Sequence, residues 1–327
     1  MRHAILIIDS NAEDYRHEIL NAGFDVDVHA VTTPTAAIDF LPTATVICGL
    51  SPVFNDELIR SAPRVQWIQA LTTGTETITT STFLPPGTSV TNMRGIHGPQ
   101  MAELAILQMM SLCRHYRQIL ANQADQLWER WAQPVLAGKT AGILGVGEIS
   151  LVLAARLKAF EMTVVGFTAS PDRAAPNFDH LVSRSRLTEL APTLDFLIVL
   201  VPQSPQTDCI VSADVLRGMR SDAYLVNMAR GGVVDEDALL VALEQGSIAG
   251  AALDVFREEP LPTSHSFWHL PNLLVTPHIG GMSTTYVRQA MPMLLRNVGL
   301  FLDGARGADL QNFVFQSSKH SRIKVAQ

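Results

Sequence analysis

Ten residues in the middle of the chain, AGILGVGEIS at 141–150, admit few structures. Gly142 to Gly145 has the apolar compactness of a central parallel strand, and Gly145-Val146-Gly147 is a tight turn. Beyond it Ile149, Val152, Leu153, Leu157 and Phe160 recur at helical spacing, so a helix begins at the glycines. That geometry aims backbone N–H groups and the positive end of a helix dipole at whatever lies over the turn, which suits a pyrophosphate. Taken alone, the stretch fits an ordinary strand-to-helix turn as well as a dinucleotide fingerprint. Ser150 stands where the third glycine is usual, although it is small enough for close helix packing.

The chain has 327 residues, enough for two domains that each bury a core. Its formal net charge is −7 and its Lys and Arg are scattered, so nucleic acid is not an expected partner. The small basic cluster Lys319, Arg322 and Lys324 reads as a solvated tail. Cys48, Cys113 and Cys209 lie far apart without metal-ligand spacing, which suits a reducing compartment and gives no expected metal site. The opening apolar run stops at Asp9, and no stretch approaches the roughly 18 apolar residues of a membrane span. A soluble, cytoplasmic protein without membrane partners is expected.

From the start, strands are expected at Ala4–Ile8 and Phe24–Val28, flanking a helix at Ala12–Asn21. The pattern repeats with strands at Thr45–Cys48, Val65–Gln69 and Ser89–Asn92 and a helix near Asn55–Ser61. The loop after Gln69 carries Thr73 and Gly74, whose N–H groups could receive a small anion, although the many threonines there are more often strand and loop filler than a site. One long apolar-periodic helix is expected from Pro99 to about Ala121, with Met101, Leu104, Ala105, Leu107, Met110 and Leu112 available for burial and a Met-rich face between domains. After the glycine helix, strands at Thr163–Phe167, Phe196–Val201, Tyr224–Met228, Gly250–Asp254 and Leu273–Thr276 alternate with loops and a helix at Asp235–Glu244. This pattern predicts a doubly wound parallel sheet. A last helix, Ser283 to about Leu302, is expected to return to the first domain.

In an open parallel sheet, ligands bind beyond the carboxyl ends of the strands. Three ends carry reactive groups: Arg230 in Ala229-Arg230-Gly231-Gly232, Glu258-Glu259-Pro260, and His278 in Pro277-His278-Ile279-Gly280. Arginine is permanently charged and bidentate, so Arg230 could clamp a carboxylate and polarise a carbonyl. A carboxylate beside a histidine keeps a proton on the ring, which suits His278 with Glu259 as a proton donor. Singly, Arg230 also fits a helix cap or surface ion pair, His278 a hydrogen-bonded loop and Glu259 a solvated acid. Their placement at strand ends in a chain with a glycine turn favours the site.

These segments together resemble the D-isomer-specific 2-hydroxyacid dehydrogenases: LAGKTAGILGVGEI (136–149), the Pro202–Thr207 loop, LVNMARGGVVDEDAL (225–239), AGAALDVFREEPLP (249–262) and LPNLLVTPHIGG (270–281). The resemblance spans almost the whole chain. It implies an α/β protein of two doubly wound parallel-sheet domains, a Rossmann cofactor domain (101–282) inserted in a discontinuous flavodoxin-like substrate domain (1–100 and 283–327). It also implies NAD(P)-dependent reduction of a 2-oxo acid to the (R)-2-hydroxy acid, with Arg230 on substrate carboxylate and carbonyl and His278, paired to Glu259, as acid/base. The cofactor would lie along Gly145, Val146, Gly147, Glu148, Ile149, Val201, Pro202, Thr207, Met228, Ala229, Asp254, His278 and Gly280, with Asp254 on the nicotinamide carboxamide. Substrate would meet Thr73, Gly74, Arg230 and His278. TNMRGIHGPQMAEL (91–104) resembles the glyoxylate and hydroxypyruvate reductase branch, with Arg94 or His97 facing the substrate. A homodimer through the cofactor domain and the segment from about Cys113 to Ala137 is implied.

Three residues depart from the family pattern: Ser150, Thr72 for a frequent glycine, and Met282 after Gly281. None removes a reacting group. The second cofactor-domain strand ends at Phe167-Thr168, where an NAD enzyme usually places an acid. Without that acid, Thr168, Ser170 and Arg173 could bind a 2′-phosphate, which favours NADP(H). Ala169 stands where NADP-preferring relatives usually carry arginine, so NAD or dual use stays open. The alternative from another class is a dinucleotide-sensing, corepressor-like scaffold with little turnover, against which stands the lack of long disordered flanks. A methyltransferase would leave Arg230, Glu259 and His278 unexplained.

Overall fold

In a computed structural model, which describes residues 2–318, the chain forms two compact units. One comprises the residues up to Ile96 and those from Ser283 onward; the other is His97–Met282. The expected junction at 100/101 thus falls a few residues late, because the long helix already starts at Gly98. The basic cluster Lys319, Arg322 and Lys324 lies outside the described residues.

In chain order the strands are β1 (His3–Ile8), β2 (Val26–Val31), β3 (Val46–Gly49), β4 (Trp67–Ala70), β5 (Ser89–Thr91), β6 (Thr140–Leu144), β7 (Thr163–Thr168), β8 (His180–Ser183), β9 (Phe196–Val199), β10 (Tyr224–Asn227), β11 (Gly250–Leu253), β12 (Leu273–Val275) and β13 (Phe313–Gln316). The discontinuous unit has the sheet order β13-β5-β4-β3-β1-β2, parallel except for β13, which pairs antiparallel with β5. Its core packs Ile5, Tyr15, Ile19 and Trp67 against Ala290, Leu294, Val298 and Phe301 of the Tyr286–Leu302 helix. Burial of that helix face returns the chain end to the first sheet.

The His97–Met282 unit has the order β12-β11-β10-β9-β6-β7-β8, parallel throughout. The order reverses between β6 and β9, the switch point at which such sheets bind ligands. Gly145 follows β6 at φ +102°, and a Cβ there would lie 2.7 Å from the Val201 backbone nitrogen. Only glycine fits both constraints. The Glu148–Ala159 helix then starts at Gly147, whose N–H donates to Ser150 Oγ at 2.7 Å while that hydroxyl donates to Gly147 O. Ser150 therefore substitutes for glycine by closing the first turn of the helix on itself.

Several expectations need correction. The single helix expected from Pro99 to Ala121 is two, Gly98–Cys113 and Tyr116–Ala124, because His115 takes a left-handed backbone (φ +52°) between them. The Met-rich face is not reserved for a domain junction. Met101, Ala105, Met109 and Leu112 pack with Ile143, Leu153, Leu157 and Phe196 in the unit's own core, leaving Leu107 and Met110 exposed. The strand expected at Phe24–Val28 is displaced to Val26–Val31 by its pairing with β1. Two short strands are not among those expected: β8, with only Leu181 and Val182 between polar ends, and β13, which forms by antiparallel pairing with β5.

Gly145→Ala is expected to destabilise the protein by about 3 kcal/mol, since a new Cβ must displace backbone at a positive φ. Urea unfolding of the purified variant measures it, and a loss below about 1 kcal/mol would contradict the close approach.

Candidate active site

Strand pairing aligns the chemistry. In the His97–Met282 sheet, Leu144 of β6 pairs with Val199 of β9, Val199 with Asn227 of β10, Asn227 with Leu253 of β11, and Leu253 with Val275 of β12. The next residues along each strand are Gly145, Leu200 and Val201, Met228 to Arg230, Asp254, and Thr276 to His278. One register row therefore brings Gly145, Val201, Arg230, Asp254 and His278 to one sheet edge, about 19 Å across four strand spacings.

Each group is set by its own local bonds. After β10, buried Asn227 receives Ala229 N–H on Oδ1 (3.1 Å) and donates to Arg230 O (3.1 Å), fixing the turn from which Arg230 projects. The Arg230 guanidinium donates to Ala229 O at 2.7 Å. Gly231 behind it passes so close to the next loop that a Cβ would lie 2.0 Å from the Phe256 carbonyl carbon. Glu259 Oε1 accepts Phe256 N–H at 2.9 Å, anchoring the carboxylate to the end of β11. Its Oε2 lies 2.6 Å from His278 Nδ1. With Nδ1 engaged by Glu259, Nε2 is the ring atom available for proton exchange.

His278 is itself held in a left-handed backbone at φ +53°, which costs a non-glycine residue roughly 1–2 kcal/mol. The next two amides explain why it persists. Ile279 N–H donates to Asp254 Oδ1 at 3.0 Å, and Gly280 N–H donates to Oδ2 at 2.8 Å. Thr276 Oγ donates to Oδ1 from the other side at 2.6 Å, and Gln108 Nε2 lies 3.1 Å from Thr276 Oγ. Asp254, 1 % exposed, thus spends its carboxylate on the histidine loop.

At the other end of the row the residues fit a dinucleotide. Gly145 is packed on the β9 end, whereas a Cβ on Gly147 would meet no protein atom within 4 Å. The first-turn amides of Glu148 and Ile149 belong to the end of the helix that has no intrahelical acceptors. Val146 turns its side chain inward over Gly166 and contributes backbone only. Thr168, at the end of β7, receives Ser170 N–H at 3.2 Å, and the exposed Arg173 guanidinium donates to Val146 O. Thr207 is 1 % exposed and bonds Pro202 O and Ser204 N, so it shapes the Pro202–Thr207 loop from within.

The remaining candidates belong to the discontinuous unit. Thr72 Oγ donates to Gly74 O (2.8 Å) and Asn92 Nδ2 to Thr73 O (2.7 Å), while Arg94 N–H donates to Asn92 Oδ1 (3.2 Å). The structure therefore ties Thr73, Gly74 and Arg94 into one loop cluster. His97 falls in the other unit, 8 % exposed, with its ring against Gly281. Among the described residues, no group of three His, Cys, Asp or Glu is placed to hold a metal ion, and no helix is long and apolar enough to cross a membrane.

Sequence reasoning missed Asn227, Thr276 and Gln108 as parts of this machinery. Gln108 left a signal, a polar residue interrupting the stripe 101, 105, 108, 112.

Comparison with known proteins agrees with this geometry. Residues 106–280 match the NAD binding domain of the D-isomer specific 2-hydroxyacid dehydrogenases. The chain is 31 % identical over 283 residues to the glyoxylate reductase of Thermofilum pendens, covering 82 % of this chain and 80 % of that protein. It is 34 % identical over 263 residues to the D-3-phosphoglycerate dehydrogenase of Rattus norvegicus, covering 79 % of this chain but only 48 % of that longer protein. A crystal structure of a D-isomer specific 2-hydroxyacid dehydrogenase family protein from Aeromonas salmonicida superposes with a TM-score of 0.88 at 26 % identity, covering 96 % of this chain and 99 % of that one. The chain belongs to the D-isomer specific 2-hydroxyacid dehydrogenase family and is an NAD(P)-dependent oxidoreductase.

Proposed function

We propose that the protein reduces a small 2-oxo acid, of the glyoxylate or hydroxypyruvate kind, to the (R)-2-hydroxy acid. The observation that carries this reading is the 2.6 Å His278–Glu259 pair beyond β11 and β12, one strand from Arg230. A nicotinamide coenzyme held along the glycine turn would supply the hydride. Arg230 binds the substrate carboxylate and draws electron density from the keto oxygen. His278 delivers the proton from Nε2 to that oxygen, and Glu259 keeps the ring oriented and balances its charge as the proton leaves or returns. The Thr73-Gly74 backbone and Arg94 are proposed substrate contacts. The preference for small acids is supported by the resemblance of the Thr91–Leu104 segment and by the similarity to a glyoxylate reductase.

NADP(H) is the proposed preferred coenzyme. Support comes from Thr168 in place of an acid after β7, which removes repulsion against a 2′-phosphate, and from the Arg173 guanidinium beside the glycine turn at Val146 O. The proposal extends to a homodimer through the cofactor-binding unit. Its support is an exposed apolar set on that unit, Leu107, Met110, Leu127, Trp128 and Val135, with Trp128 at 91 % exposure.

Three outcomes follow. Oxidation of NADPH and NADH against glyoxylate, hydroxypyruvate, pyruvate and phenylpyruvate should show turnover with the smaller acids, reduced at least a hundredfold by His278→Ala, the order expected for loss of a general acid. Arg173→Ala should lower the NADPH to NADH ratio of kcat/KM about tenfold, and an unchanged ratio would remove Arg173 from coenzyme choice. Light scattering should give a dimer that Leu127→Ser/Trp128→Ser converts to monomer, whereas a monomeric wild type would end the dimer proposal.

A further inference from the structure

Gln108 is the one side-chain amide on the buried stripe of the Gly98–Cys113 helix, between Ala105 and Leu112, and it is 2 % exposed. The direction of its bond to Thr276 is forced. Asp254 already accepts Ile279 N–H and Gly280 N–H, and Thr276 Oγ lies 2.6 Å from its Oδ1. Thr276 has one hydroxyl proton, and it goes to the carboxylate. Its oxygen is left to accept, so Gln108 Nε2 donates. A carbonyl turned toward Thr276 would set two acceptors against each other.

The other half of the amide argues against a purely structural role. Gln108 Oε1 is buried without a hydrogen-bond partner among the described residues. A buried acceptor left unmet is destabilising, so a methionine of similar length would serve the core at least as well. Methionine cannot donate to Thr276. The glutamine is therefore explained by its N–H.

We propose that Gln108 is a positioning residue for proton transfer. By donating to Thr276 it fixes the hydroxyl proton on Asp254, and Asp254 in turn holds the two amides that follow His278. The chain of bonds thus runs from the Gly98–Cys113 helix to the two amides that follow the proton donor. This inference rests on the reading of His278 as that donor.

The test is Gln108→Met in the full chain, read by amide hydrogen exchange at Ile279 and Gly280 and by steady-state reduction of glyoxylate. Exchange at both amides should accelerate about tenfold and kcat should fall about tenfold, with KM for glyoxylate changed less than about twofold and Tm equal to or above wild type. Thr276→Val should show at least the same loss. Adding Gln108→Met to it should cost nothing further, because both substitutions break one chain. Wild-type exchange and kcat in Gln108→Met would overturn the inference, as would losses that multiply in the double variant. Accelerated exchange in a protein whose wild type reduces no 2-oxo acid would overturn the proposed function and, with it, the catalytic half of this inference, leaving only the geometric half.

Discussion

The carboxylate of Asp254 is the interaction on which the catalytic end of the sheet depends. Buried among apolar neighbours at the end of β11, it would be costly as a lone charge, and three donors converge on it: Thr276 Oγ and the amides of Ile279 and Gly280. Satisfying the carboxylate and bending the loop are one event. The two amides can reach it only if the chain turns sharply at His278, and the left-handed backbone there is that turn. Burial of one acid thereby becomes orientation of one base, whose ring then meets Glu259, itself anchored to the loop after β11.

The rest of the site follows from pairing register. Parallel strands buried on both faces are short and apolar and carry no room for polar chemistry until they end. Because Leu144, Val199, Asn227, Leu253 and Val275 lie in one row, the ends coincide, and what each loop contributes is decided by its first few residues. Gly145 lets backbone approach backbone, Asn227 sets the Arg230 turn, and Asp254 sets the histidine loop. A register slip of one residue would separate them all.

This explains what was legible in the sequence. Gly145 to Ile149, Arg230, Glu259 and His278 could be read because residue type, a strand end and a motif coincide there, and the register row then needs no further information. The fold class was equally readable from apolar strands alternating with helices. What could not be read were features set by a single backbone conformation or by contacts distant in sequence. The break at His115 depends on one backbone conformation, and β13 exists only because it pairs with β5, more than 200 residues earlier. The resemblance implies Thr207 along the cofactor, and the inward bond of its hydroxyl to Pro202 O is a loop contact that residue type alone does not give. The packing of the His97 ring against Gly281, more than 180 residues later, is likewise a contact that its local sequence does not encode.

Three features that lower stability bear on the same edge. His278 takes a backbone that asparagine or glycine would hold more easily, Gly145 carries the conformational freedom of glycine into a central turn, and Gln108 keeps an unmet oxygen in the core. Each departs from what packing alone would select, and all three bear on one row of strand ends. At the opposite, amino-terminal edge of the same sheet, Asp195 holds the start of β6 by simpler means, taking Lys139 Nζ and Thr140 N–H. The left-handed backbone at His278 persists because the bonds to Asp254 over-determine it, which is how strain is retained at a site and offset by the structure around it.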